Sequence, residues 1–161
     1  MNKMIIFTDG AVPNNQSKNK NKGGVGVFFG KDDQRNISYT LTGKVTNQIC
    51  ELTACIMALE TILSTQKITK NIIIYTDSMY IVNSMTTWAK NWEKNSWKKS
   101  DGKVILNKEL IMKLYYYTIN MNVKYIHVKA HTKAPAEDSE GYFLYYGNYM
   151  ADKLATMAAT T

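Results

Sequence analysis

Two aspartates stand in matched settings. Asp9 follows the apolar run KMIIFT and precedes Gly10; Asp77 follows NIIIYT and precedes Ser78. Each carboxylate sits directly behind residues that favour burial, where a desolvated charge costs free energy unless a partner, a cation or water answers it. Two further acids have related positions. Glu51 lies on the border of an apolar helical stripe beside Ala54, Cys55 and Ala58, and Asp152, in NYMADKLA, is flanked by Met150, Ala151 and Leu154. If two strand ends and two helix rims bring these four together, repulsion forces some of them to protonate. Divalent cations remove the conflict. Oxygen donors with open positions suit Mg²⁺, which takes few carboxylates and keeps several waters. Two such ions about 4 Å apart can clamp the attacking and leaving oxygens of a phosphodiester. Each acid also has an ordinary reading: Asp9 as a turn former, Asp77 as the N-cap of a helix beginning at Ser78, Glu51 and Asp152 as surface acids at a stripe edge. Residue type and spacing alone leave both readings open.

The elements that would position these acids can be read from periodicity. Residues 3–8 form a strand-like run, and the polar, glycine-ended segment 14–24 a loop. GVGVFFG and NISYTLTG read as second and third strands, giving an antiparallel meander. From Asn47 to about Thr65, Ile49, Leu52, Ile56, Leu59 and Leu63 recur at helical spacing. NIIIYT, 71–76, is apolar on successive residues, as in a strand covered on both faces. A short helix is expected at 78–86, then a Trp/Lys-rich segment at 88–99. A helix at 107–120, a strand at 123–128, a loop at 132–147 and a closing helix from Asn148 complete the chain. This order implies an α/β fold, a five-stranded mixed sheet flanked by helices in one domain over residues 1–161. Crevices at strand ends are where such sheets hold ligands.

The 161 residues carry a formal net charge of +7, and a lysine surplus points first to a polyanion such as nucleic acid. The longest apolar runs are a few residues, so no membrane span is expected. MNKMIIFTDG lacks the apolar core and cleavage site of a secretion signal, which favours an intracellular setting, cytoplasm or nucleus. Cys50 and Cys55, five apart on one helix, point in different directions and make neither a disulfide nor a zinc site. A monomer is the default.

The segments FTDGA, TNQICELTACIMALE, YTDSMYIVN, VKAHT and GNYMADKLA, in this order from about Lys3 to Ala159, closely resemble type 1 ribonuclease H, nearest the catalytic domain of the eukaryotic form. The resemblance implies endonucleolytic cleavage of the RNA strand of RNA–DNA hybrids with two Mg²⁺ ions, Mn²⁺ substituting. In-line attack of water on phosphorus with loss of the 3′ oxygen would leave 5′-phosphate and 3′-hydroxyl ends. The family's metal-binding carboxylates fall on Asp9, Glu51, Asp77 and Asp152. Its mobile histidine, which assists proton transfer and product release, falls on His131, although Ala130 stands where glycine is usual. His127, inside a strand pattern, reads as packed. The stretch from His131 to Asp152 is about twice the expected length and carries rival acids, Glu137, Asp138 and Glu140, with an aromatic run, Tyr142, Phe143, Tyr145 and Tyr146. Asp152 is preferred because it lies in the family's helix pattern.

The resemblance also assigns residues to the hybrid. Asn47, Gln48 and Asn15 match those that touch the minor groove, where the 2′-hydroxyl separates RNA from DNA; helix capping is the plain alternative for Asn47 and Gln48. In WAKNWEKNSWKKS, Trp88 and Trp92 would line a channel for deoxyribose and Ser100 would meet phosphate. Lys94, Lys98 and Lys99 would add salt-dependent attraction. The plain alternative is a core stripe with solvated lysines. Lys44, Thr46 and Asn107 map onto a DNA-phosphate pocket. Two other classes compete with this reading: a basic module that holds hybrid or duplex RNA without cutting, and another nuclease of the wider superfamily, such as a junction resolvase. Four retained acids argue against the first, since unmetallated carboxylates repel a polyanion. The tryptophan segment and TNQ argue against the second.

Overall fold

In the computed structural model, which describes residues 3–13, 21–65 and 71–161, the mixed sheet forms in the order β3-β2-β1-β4-β5. The strands are β1 (Met4–Ala11), β2 (Lys22–Phe28), β3 (Ile37–Thr42), β4 (Ile72–Thr76) and β5 (Val123–His127). The first three are the expected antiparallel meander; β4 and β5 then add in parallel on the other side of β1. The helices are α1 (Asn47–Thr65), α2 (Met79–Asn83), α3 (Ala89–Lys94), α4 (Lys108–Met121) and α5 (Gly141–Ala159), with a π-helical turn at Ser84–Trp88 joining α2 to α3.

Side chains on a strand alternate between faces, and β1 shows what each face receives. Ile6 is fully buried with Leu52, Leu59 and Ile62 of α1 and Ile111 and Leu114 of α4. Thr8, on the same face, lies 3.5 Å from Cys55 Sγ. Phe7 faces the other way, into a second cluster with Phe28 and Ala151 of α5. The sheet is therefore covered by α1 and α4 on one side and α5 on the other. Cys50 and Cys55 are both buried and free. α1 is long and apolar enough to cross a membrane by composition, contrary to the expectation from run lengths, but its apolar side chains are packed in the core.

Glycine decides how closely the helices approach. A Cβ on Gly24 would come within 1.8 Å of the Ala155 carbonyl oxygen, and one on Gly26 within 2.2 Å of that of Ala151. No other residue lets α5 lie this near β2. On the opposite face, a Cβ on Gly10 would meet Glu51 N at 2.6 Å, so glycine there seats the start of α1 against β1.

Three boundaries differ from the sequence reading in ways that matter. β1 does not end at Asp9; it runs to Ala11 because Asp9 and Gly10 continue the ladder with Gly26 and Val25. The segment expected as a loop to residue 24 yields to β2 from Lys22. The loop expected at 132–147 is helical from Gly141, so the aromatic run belongs to α5.

Candidate active site

Register places the first two acids side by side. Parallel pairing of β1 and β4 ends at Thr8 with Thr76, so Asp9 and Asp77 follow at the same level. Glu51, in the first turns of α1, reaches the same rim because Gly10 admits that helix. Carboxylate oxygens of Asp9, Glu51 and Asp77 lie within 4.8 Å of one another. Asp152 stands outside this trio but hydrogen-bonds Asp9. Its approach follows from Gly26, which lies opposite Asp9 in the ladder and contacts Ala151, the neighbour of Asp152.

Crowded, buried carboxylates hold protons. Asp9 is 6% exposed. Burial first, then the charges of Asp77 and Asp152, push its carboxyl up to about 9, against a partial offset from the Gly10 N–H, which donates to Asp9 Oδ1 at 2.8 Å. Burial also raises Asp77; a hydrogen bond from Asn148 and the nearby His131 and His127 act in the opposite direction. Glu51 is raised by burial and by Asp77, while the Ser78 hydroxyl, donating to Glu51 Oε1 at 2.8 Å, pulls it back.

The donor set fits a hard divalent cation. It is all carboxylate oxygen, which suits Mg²⁺ or Mn²⁺ over thiolate- or imidazole-seeking metals. The raised proton affinities mark a place where positive charge is wanted. Asn148, 6% exposed, also keeps its Oδ1 without a hydrogen-bond partner beside Asp77. A buried amide oxygen left so is costly, and it adds polar demand at the same rim.

Asp77 does not cap α2. Ser78 does, accepting from Ile81 N–H at 3.2 Å, so the capping alternative for Asp77 falls away. The rival acids Glu137, Asp138 and Glu140 are exposed and take no part in the carboxylate group. His131 is exposed at a left-handed backbone position, φ 52°, and shares a cleft with Asp152 and Asn148. His127 is not packed, as its strand pattern suggested. It ends β5 opposite Thr76, and there it is exposed and close enough to act on Asp77.

Beyond the acids lies an open cleft of about 560 Å³ lined by Gln48, Tyr80, Trp88, Trp92, Lys99, Ser100 and Leu106. The rings of Trp88 and Trp92 are 6.0 Å apart and Tyr80 meets Trp88 edge-on at 6.1 Å. Asn107 Nδ2 donates to the Tyr80 hydroxyl at 3.4 Å, which ties Asn107 to the same wall. Lys94 and Lys98 are exposed but do not line it, and an acid not foreseen, Asp101, does. Trp97 separates from the other two tryptophans: it is buried against Tyr115 and Tyr116, with its indole N–H on the Tyr116 hydroxyl at 3.3 Å. Thr46 accepts from Ile49 N–H at 3.1 Å, so capping of α1 falls to Thr46 rather than to Asn47 or Gln48. Lys44 and Asn47 are exposed. Asn15 lies outside the described residues.

Sequence reasoning missed Ser78, Tyr80 and Asn148. Ser78 carried a signal, a serine directly before an apolar helical stretch. Nothing in the letters distinguishes Asn148, a buried amide on the acidic rim, from a surface asparagine.

The sequence matches the RNase H family over residues 1–160. Ribonuclease H1 of Homo sapiens is 35% identical over 97% of this chain and 50% of its own length. Ribonuclease H of Rickettsia canadensis (strain McKiel) is 34% identical over 100% of this chain and 92% of its own. The chain spans about half the length of the mammalian relatives it matches. Among solved structures, LC9-RNase H1, a type 1 RNase H with the type 2 active-site motif, superposes with a TM-score of 0.73, covering 98% of this chain and 72% of that one at 24% identity, a likeness of fold.

Proposed function

The chain belongs to the RNase H family, and from that premise we propose that it hydrolyses the RNA strand of RNA–DNA hybrids endonucleolytically, leaving 5′-phosphate and 3′-hydroxyl ends. The observation that carries the reading is the carboxylate trio, with oxygens within 4.8 Å, together with a tryptophan-lined cleft that Lys99 and Ser100 also line. Two divalent ions held by Asp9, Glu51, Asp77 and Asp152, Mg²⁺ with Mn²⁺ as substitute, would neutralise the acids and clamp the attacking and leaving oxygens of the phosphodiester.

The chain's own residues prepare that arrangement. Asp9, whose carboxyl is raised by burial and by its acid neighbours, would give up its proton to a bound divalent ion's charge. Ser78 fixes Glu51, and Asn148 fixes Asp77, so neither carboxylate has to find its orientation during the reaction. His131, exposed at the cleft mouth, serves the leaving oxygen as proton carrier. On the other flank, the Trp88–Trp92 wall accepts a sugar without a 2′-hydroxyl, while Ser100, Lys44, Thr46 and Asn107 meet DNA phosphate. Asn15, Asn47 and Gln48 are the amides assigned to the minor groove, where amides both donate to and accept from the RNA 2′-hydroxyl. The enzyme acts as a monomer.

The test uses end-labelled hybrid, duplex RNA and duplex DNA, each with Mg²⁺ and with EDTA. Cutting confined to the RNA of the hybrid and abolished by EDTA is expected, with Asp77→Asn losing cleavage while still binding hybrid in Ca²⁺. Binding without cutting in Mg²⁺ or Mn²⁺ would make the protein a hybrid-holding module instead, and full activity of Asp77→Asn would remove the metal assignment.

A further inference from the structure

The cleft that Asp152 shares with His131 also holds donors that the proposed chemistry leaves unused: Lys129, Thr132 and Tyr149. Lys129 and Thr132 are exposed. The backbone beside Lys129 is anchored at the acidic rim. Val128 is buried, and its N–H donates to the Thr76 carbonyl oxygen at 2.9 Å, which ties the chain to β4 one residue before Asp77. Tyr149 is 47% exposed and stands three residues before Asp152 on α5, on the same helical face. Its ring stacks on Tyr145 at 6.0 Å and 17°. One ring face is thus taken, and the phenol hydroxyl is what Tyr149 offers a ligand.

These donors are not spent on the protein. Among the described residues the Lys129 ammonium makes no ion pair, and the Thr132 and Tyr149 hydroxyls make no hydrogen bond; Lys113 on α4, by contrast, is paired with Glu60 at 3.1 Å. The exposed acids Glu137, Asp138 and Glu140 do not line the cleft. Its one carboxylate, Asp152, is among the four assigned to divalent ions, so the loaded site presents positive charge and hydroxyl donors here. Lysine ammonium and threonine or tyrosine hydroxyls are groups that hold nucleic-acid phosphates. A paired duplex keeps its base faces stacked inside and its phosphates outside, within reach of such a cleft. Tyr149 lies about 4.5 Å along α5 from Asp152, at 1.5 Å per residue. Successive nucleotides of one strand advance by about 3.4 Å along the duplex axis. The cleft therefore reaches about one nucleotide past the phosphate at the acids.

We propose that Lys129, Thr132 and Tyr149 form a phosphate subsite for the RNA strand, next to the phosphate that is cut. This rests on the hybrid-cleaving function above. The strand is RNA because the cleft contains Asp152, whose group takes the cut phosphate. It also shares no residue with the Trp88–Trp92 cleft assigned to DNA. Lys129 supplies the charge, and the two hydroxyls narrow where the phosphate can sit.

The test measures hybrid binding in Ca²⁺ and steady-state cleavage in Mg²⁺ for wild type, Lys129→Ala, Lys129→Arg and Tyr149→Phe. The hybrids have one defined cleavage position. A neutral methylphosphonate replaces one RNA phosphate at a time on either side of it, with a 2′-O-methyl sugar at that place in both the modified strand and its control. Lys129→Ala is expected to raise the dissociation constant and KM about five-fold, as for one exposed charge contact. It should also lower the dependence of log Kd on log salt by about 1. The loss falls on KM rather than kcat, since the contact is made equally before and during the reaction. Lys129→Arg stays within about two-fold of wild type, and Tyr149→Phe, which loses only a hydroxyl, raises KM about three-fold. Wild type loses affinity for the methylphosphonate at one position adjacent to the cut, and Lys129→Ala loses nothing further there, because two changes to one contact do not add. An unchanged salt slope in Lys129→Ala, or equal methylphosphonate losses in wild type and Lys129→Ala at every position, overturns the subsite. So does a Lys129→Ala variant altered only in Mg²⁺ affinity, which would make the lysine a counter-ion of the acids. Wild type that binds hybrid without cutting it removes the cleavage function alone, and the binding measurements still decide the subsite; wild type that binds no hybrid removes both.

Discussion

Replacing Asp9 with asparagine should make the metal-free protein more stable. Asp9 is almost fully buried and its carboxyl is raised from 3.8 to about 9, mainly by that burial and then by Asp77 and Asp152. Between these two values the unfolded chain carries an ionised Asp9 while the folded chain keeps it protonated, so folding takes up a proton. The contribution to stability is complete below 3.8 and is lost steadily as pH rises toward 9, at about 1.4 kcal/mol per pH unit. At pH 7 the cost is about 4 kcal/mol. Asparagine has the same shape and no charge to lose. In EDTA at pH 7, Asp9→Asn should melt about 10 °C above wild type, taking about 2–4 °C per kcal/mol for a chain of this size. The advantage should shrink toward pH 4. Millimolar Mg²⁺ should raise the melting temperature of wild type and narrow the gap, since ions that bind only the folded state stabilise it. Differential scanning fluorimetry over pH 4–9, with EDTA and with Mg²⁺, measures all of this. An asparagine variant no more stable than wild type, or an advantage that does not change with pH, would refute the electrostatic description of the site.

Two other substitutions probe the scaffold and the grip. Gly26→Ala puts a methyl group 2.2 Å from the Ala151 carbonyl oxygen, so α5 must shift; a loss of about 1–3 kcal/mol in urea unfolding is expected, with a disproportionate fall in kcat because Asp152 rides on that helix, and unchanged kcat would show that Asp152 is not positioned this way. The Lys94→Ala/Lys98→Ala/Lys99→Ala variant should bind hybrid more weakly and with a shallower dependence of log Kd on log salt, each lost phosphate contact reducing the slope by about 1; an unchanged slope would place the hybrid elsewhere.

Much of the site was legible because strands and helices announce themselves by period and the acids stand at their ends. NIIIYT placed Asp77 at a strand terminus, and the stripe of α1 placed Glu51 at its edge. What failed did so for physical reasons. β1 runs past Asp9 because its antiparallel partner β2 continues where parallel β4 stops, and pairing between segments is not written in either one. His127 shares the strand parity of buried Val123 and Tyr125, yet it lies at the strand's open end beside the acids, so period misled. The aromatic run falls inside the segment 132–147 expected as a loop, behind the acids Glu137, Asp138 and Glu140. Its own spacing, Tyr142, Tyr145, Tyr146 and Tyr149, is helical, and that signal was available. The asymmetry among three tryptophans was not: Trp97 turns into the core while Trp88 and Trp92 face the cleft.

The central claim is that Asp9, Glu51, Asp77 and Asp152 jointly hold divalent ions at the reacting phosphate. Anomalous diffraction at the manganese edge, from crystals of Asp77→Asn or wild type with an uncleavable hybrid and Mn²⁺, tests it most directly. The account predicts, for wild type, two peaks about 4 Å apart held by carboxylates of this group. Peaks on other residues, or a hybrid bound with no manganese at these acids, would contradict it.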